Sequence, residues 1–501
     1  MAYPMLIQGG MGVGVSNWRL ARTVSQEGQL GVVSGTIIDV VFARRLQEGD
    51  KGGHMRRACQ AFPDQEIAER VWQRFYKEGG KAADEPYKNV PMIEINQSRQ
   101  SQELLILANF AEVYLAKEGH DGLVGINFLE KIQLPHLPSI YGAMLAGVDY
   151  VLMGAGIPKA IPGILDKLSE NADVSMKLDV QTDTTSNTDT KDQTYVHFSP
   201  SAILSQLKPL KRPQFLAIVS SHTLAANLAK KSSGQVNGFV IENHKAGGHN
   251  APPRGAMTLN ESGEPVYGPR DAADLNEMKK LGLPFWLAGT FGSEDKLKEA
   301  LEAGAVGVQV GTPFAFSEES GIAEAVKLGV LEQVKDGTIT VFTDPCASAS
   351  GYPFKVASLE NSLSEAEIYA DRQRVCDLGY LRTAYTRENG SIGFRCTGEA
   401  ACDFTRKGGK AEETENRKCL CNALLATIGL GQVRSNGYVE PPLVTAGDHI
   451  SELAEYLQDG KLSYSAREVV ARILGKPTIE TTTKGLSDSE TSSKPELLQP
   501  V

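Results

Sequence analysis

Eight short apolar runs, each closed by glycine or a polar turn and followed by a stretch of helical spacing, limit what this chain can become. They are Pro4 to Gln8, Leu30 to Ser34, Leu123 to Phe128, Tyr150 to Met153, Phe215 to Ser220, Gly238 to Glu242, Pro284 to Ala288 and Val306 to Val310. Runs of this kind read as strands buried on both faces, and parallel strands need a crossover of a dozen or more residues, usually a helix. The intervening sequence supplies such helices. Asn17 to Val24 spaces its apolar residues helically, and Ser293 opens an acidic first turn before Leu297, Ala300 and Leu301. Eight strands alternating with helices is the count of a (β/α)8 TIM barrel; an open doubly wound sheet gives a similar alternation.

The barrel reading occupies residues 1–360, with two long interruptions at about 42–100 and 169–199, expected to be insertions over a binding face or flexible loops. The second holds the polar run Thr182 to Thr190. From 361 to about 475 the strand rhythm gives way to a mainly helical, Cys-bearing subdomain, and 476–501 lacks a core-forming pattern and is expected to be a disordered tail. With 41% hydrophobic and 22% charged residues, the chain can bury a core without disulfides. The net charge of −10 argues against a nucleic-acid or anionic-lipid surface. No segment reaches the ~20 apolar residues of a membrane span, the start has no secretory pattern, and seven cysteines suit reduced thiols, so a cytoplasmic protein is expected.

Three segments carry the chemistry. Gln8-Gly9-Gly10-Met11-Gly12-Val13-Gly14 follows the first strand, where glycines let backbone approach a planar or phosphorylated ligand, or merely form a tight turn. Val15 stands where a dinucleotide fingerprint needs its third glycine, and no G-x-x-x-x-G-K-[ST] exists, which weakens a Rossmann site and a P-loop. The second segment runs from Gly238 through Glu242 to Asn243-His244-Lys245-Ala246-Gly247-Gly248-His249, placing polar groups at a strand's C-terminal end, where barrel enzymes hold their sites. His249 there suits proton transfer, or caps the loop. The third comprises Ala288-Gly289-Thr290-Phe291 and Val310-Gly311-Thr312-Pro313, glycine turns after strands seven and eight of the kind that bind phosphate.

Taken in order with Val124-Gly125-Ile126-Asn127, these motifs resemble the nitronate monooxygenase family, formerly the 2-nitropropane dioxygenases, over about residues 4–360. The resemblance implies FMN at the C-terminal ends of the strands. Gly9, Gly10 and Met11 would lie near its ring, Asn127 would hydrogen-bond it, and Gly247, Gly248, Gly289, Gly311 and Thr312 would hold its phosphate region. His249 matches the family's catalytic base, which removes the α-proton of a neutral nitroalkane before oxidation with O2 to a carbonyl compound and nitrite. Thr290-Phe291 departs from the family's usual Gly-Ile. Related barrels reduce enoyl thioesters or quinones with NAD(P)H, which is the alternative activity; a flavin-less scaffold is the non-catalytic one. A small-molecule substrate and O2 are the expected partners, with homo-oligomerisation left open.

The C-terminal thiols Cys376, Cys396, Cys402, Cys419 and Cys421 contain no C-x2-C pair. Zinc or an iron–sulfur cluster needs suitably spaced thiolates, so reduced structural thiols and no metal are expected.

Overall fold

The structure, a computed structural model, describes residues 3–181, 194–457 and 460–477. The Thr182 to Thr190 run and the tail from Thr478 lie outside the described residues.

All eight expected strands form. They are β1 Leu6–Gln8, β2 Leu30–Ser34, β3 Val124–Leu129, β4 Tyr150–Gly154, β5 Gln214–Val219, β6 Gly238–Glu242, β7 Phe285–Ala288 and β8 Gly307–Val310. Every ladder is parallel, and β1 pairs with both β2 and β8, so the sheet closes into a barrel rather than lying open. The register aligns the strand ends: Gln8 opposes Val310, Ser34 opposes Asn127, and Glu242 opposes Ala288. Residues immediately after these positions are therefore delivered to one rim.

Alternation along the strands divides the core. Inward-facing Ile7, Val32, Leu152, Leu216, Val240 and Trp286 fill the barrel, fully buried. The Trp286 indole donates to the Pro4 carbonyl at 2.8 Å, which satisfies its one polar atom. Outward-facing Leu6, Val33, Phe239 and Phe285 join the helices in a second, larger core. The first helix, Trp18–Gln26, starts where Asn17 Oδ1 accepts from the amides of Arg19 and Leu20. The expected Ser293 cap of the helix Glu294–Glu302 is also in place.

The first interruption does not cover the rim. Its helices His54–Ala61 and Gln65–Phe75 pack outside the barrel, on the long helix Arg99–Lys117. Phe62 meets Phe110 edge to face at 5.0 Å, and the helix buries Leu104, Leu107 and Ala111. From the second interruption, Val174–Lys177 and Tyr195–Phe198 pair as an antiparallel ribbon.

The region after residue 360 is mainly helical but also contains a hairpin, Thr383–Thr386 with Ile392–Arg395, which extends onto Val180–Gln181. Its Asn389-Gly390 turn has Gly390 at φ 79°, the left-handed geometry that turns two strands back on each other. The region also shares the barrel's larger core through Leu425, Val444, Leu453 and Tyr464. A buried ion network, in which Arg372 and Arg434 hold Glu440 at 3.2 and 2.9 Å and Arg434 holds Asp377 at 2.6 Å, fixes it internally.

Candidate functional site

The C-terminal rim encloses a cavity of about 410 Å³. Gly9, Gly10, Met11, Asn127, Gly247, Gly248, His249, Gly289, Gly311 and Thr312 all line it, so turns from five strands converge on one space. What sequence reasoning missed is the fourth wall. Leu443 to Gly447, with Leu453 and Tyr456, close the cavity from the C-terminal region.

That closure is hydrogen-bonded to the glycine turns. Gly248 N–H donates to Thr445 Oγ1 at 2.8 Å, and Gly447 N–H donates to Thr312 Oγ1 at 2.9 Å. The Thr312 hydroxyl accepts there and keeps its own proton to donate. Lys355, itself buried, pairs with Asp448 at 2.5 Å and anchors the same segment.

Two glycine positions separate structural need from ligand room. A Cβ on Gly10 would lie 2.3 Å from Asn127 Cβ, so glycine is required for Asn127 to donate from Nδ2 to the Gly10 carbonyl at 3.0 Å. A Cβ on Gly311 would meet only Met11, at an ordinary 3.5 Å. The protein's own packing leaves Gly311 free to carry a side chain, and the space beside it is cavity. At the third turn both Gly289 (φ 91°) and Thr290 (φ 68°) are left-handed. The position where the resemblance leads one to expect glycine thus keeps glycine's backbone while carrying a β-branched residue.

His249 is held tightly. Its residue bridges Phe354 across an antiparallel pair, its ring meets the Phe354 ring at 4.8 Å, and Nε2 shares a 2.7 Å hydrogen bond with Ser348 Oγ. Ser348 is in turn 2.7 Å from Ser350 Oγ. Burial pushes the imidazole down to about 4, so it is neutral at pH 7 and able to accept a proton. His244 faces away into a side cavity of about 310 Å³, stacked on Tyr267 at 4.2 Å.

Glu242, which ends β6, lines both cavities, as do His249, Ala155 and Ile218. Burial alone pushes its carboxyl up to about 7. The signal was visible in sequence, since an acid closing an otherwise apolar strand is placed at the rim by the barrel.

Asn127 and Gln309 line the rim cavity, and their buried Oδ1 and Oε1 atoms have no hydrogen-bond partner among the described residues. The glycine cradle at Gly248 and Gly311 supplies room that side chains would fill.

Residues 194–364 match the family model described as nitronate monooxygenase, less than half of the chain. Over this segment the chain is similar to nitronate monooxygenases. The segment carries β5 to β8, His249 and the Gly247, Gly289 and Gly311 turns, while the Gly9 and Asn127 motifs precede it. No curated protein matches the sequence. Among solved structures it is similar to FabK from Thermotoga maritima, at 14% identity over 95% of this chain and 92% of that one with a TM-score of 0.45. It is also similar to nitroalkane oxidase from Streptomyces ansochromogenes, at 13% identity over 94% and 95% with a TM-score of 0.42. A third likeness, the enoyl reductase domain of MlnA from Bacillus amyloliquefaciens, has 11% identity over 95% and 94% and a TM-score of 0.42.

The expectation of reduced thiols concerns a different part of the molecule. Cys376, Cys396 and Cys421 sit close enough to one another and to Cys419 that burial, then mutual repulsion, raises all three. All seven cysteines are free, and among the described residues no group of three or more His, Cys, Asp or Glu is arranged to hold a metal ion.

Proposed function

We propose that the chain holds FMN in the rim cavity and oxidises alkyl nitronates, and nitroalkanes after removal of their α-proton, with O2 to carbonyl compounds and nitrite. The observation that carries this reading is the convergence on one cavity of all ten residues drawn from the separate motifs. Gly9, Gly10, Met11 and Asn127 would hold the ring, and Gly247, Gly248, Gly289, Gly311 and Thr312 the ribityl phosphate region. A monophosphate suits glycine turns after β7 and β8, and the chain has no dinucleotide fingerprint. Bound there, FMN supplies the oxidation of the substrate and the reaction with O2.

The chain's own residues handle the proton. His249, neutral and fixed by Ser348, takes the α-proton of a nitroalkane, breaking the C–H bond and leaving the electron pair on the resulting nitronate. A nitronate supplied as such needs no base. The segment 443–447 lines the same cavity as His249.

Purified protein should be yellow and should release FMN on heating. Anaerobic mixing with a nitronate should bleach the flavin, and air should restore it with nitrite formed. Colourless protein that takes up no FMN, release of FAD, or bleaching by NADH or NADPH but not by a nitronate would each overturn the reading.

A further inference from the structure

Glu242 carries a carboxyl that nothing in the mechanism uses. It lies where the two cavities adjoin, so a molecule in either one faces it. Among the described residues it has no hydrogen bond or ion pair, and no charged group bears on its ionisation. Glu242 is half-buried and lines both cavities, so a carboxyl there without a protein partner is placed to meet a ligand.

The charged groups around it do not substitute for one. His249, which also lines both cavities, is neutral at pH 7. The side cavity adds His244, which burial lowers, and Arg254 and Asp271, joined to each other through the Arg254 amide at 2.7 Å. Lys245 and Lys296 line the main cavity, and on its closing side His449 pairs with Glu452 at 2.6 Å while Arg472 pairs with Glu455. β5 and β7, which flank Glu242, bring no charge.

Resting on the reading above, we propose that Glu242 is the residue that selects the charge of the substrate: as a neutral acid it donates a hydrogen bond to an anionic nitronate, and as a carboxylate it repels that anion while admitting the neutral nitroalkane. No bond is made or broken in this step. Only the proton on Glu242 changes place, passing to solvent as the pH rises. Burial sets the changeover at about pH 7.

The test is binding to the FMN-loaded protein, which needs no turnover. Affinity for nitrite, a planar anion carrying the nitro group's oxygens, and for neutral nitroethane is measured by calorimetry from pH 5.5 to 9. For the wild type, nitrite affinity should fall roughly tenfold per pH unit above about 7, because only the protonated fraction is competent, and nitroethane affinity should stay level. Glu242→Gln, neutral throughout, should bind nitrite with no such fall. Glu242→Asp should retain it, which excludes a merely structural effect and covers the case in which the glutamine variant does not fold. A slope that persists in Glu242→Gln would overturn the proposal, as would a flat wild-type profile. Protein that shows this pH dependence yet oxidises no nitronate would overturn the proposed activity and leave the role of Glu242 standing.

Discussion

At the scale of single residues, the base and the cradle make separable demands. Losing a general base typically costs roughly 10²- to 10⁴-fold, so His249→Ala should lower nitroalkane kcat/KM by about that factor while sparing a pre-formed nitronate. His244, stacked on Tyr267 in the side cavity, is the control, and His244→Ala should matter far less. Because burial lowers the His249 imidazole to about 4, the base stays unprotonated through the neutral range. Wild-type nitroalkane kcat/KM should therefore fall only as pH approaches about 4, rather than near the ordinary histidine value. Equal loss on both substrates would remove His249 from proton transfer. Gly311 tests the cradle, since its Cβ would meet only Met11. Gly311→Leu should keep the wild-type far-UV spectrum and lose FMN; stoichiometric FMN in that variant would place the phosphate elsewhere. The motif residues were legible because each required backbone or side-chain chemistry that its neighbours in sequence already implied. Thr445 and Gly447 were not, because hydrogen bonds to Gly248 and Thr312 cross 197 and 135 residues of chain and leave no local pattern.

Among elements, the strands were readable to within a residue or two, since a parallel strand buried on both faces is a continuous apolar run. The hairpin at Thr383–Arg395 was harder to see: its strands are only four residues each, and its sheet is completed by Val180–Gln181 from a distant interruption. Beside its hydrophobic packing, this region carries a buried ion network. Glu440 is fully buried between Arg372 and Arg434. Removing one partner of a buried pair strands the other charge, which costs about 3–5 kcal/mol. Glu440→Gln should lower the urea midpoint correspondingly, and an unchanged midpoint would show that the network contributes no net stability. The thiols give a second reading of the same packing. Cys402 is exposed, whereas Cys59, Cys376, Cys396 and Cys421 are raised by burial. Cys402 should react with a thiol reagent at once and the buried Cys59 and Cys421 only on unfolding, as mass mapping of the labelled peptides would reveal.

For the whole molecule, the pH dependence of stability is a balance between buried groups of opposite sign. His136 is buried against the Leu129 carbonyl and lowered to about 4, like His249. Below the unfolded value of 6.5 the unfolded chain takes up protons that these imidazoles refuse, so their stability is present above 6.5 and lost as pH falls toward 4. For His136 the full loss is on the order of 3 kcal/mol. Asp39, raised to about 6 by burial against the opposing hydrogen bond from Tyr380, and Glu242, raised to about 7, act the other way. The folded state holds their protons more tightly, so their contribution is full below about 4 and is lost as pH rises through 6 and 7. Between pH 6.5 and 4.5 the two pairs offset each other, and the flavin-free protein should show a shallow profile there. Glu242→Gln breaks that balance in a way that can be measured. The variant never bears the unpartnered charge, so it should be more stable than wild type at pH 8, and the advantage should shrink as pH falls and vanish by about pH 4. A urea-midpoint difference between the two proteins that stays constant with pH would mean that the Glu242 carboxyl is not perturbed by burial. A difference that closes on acidification marks a destabilising group kept at the site, as expected of a residue retained for what it binds.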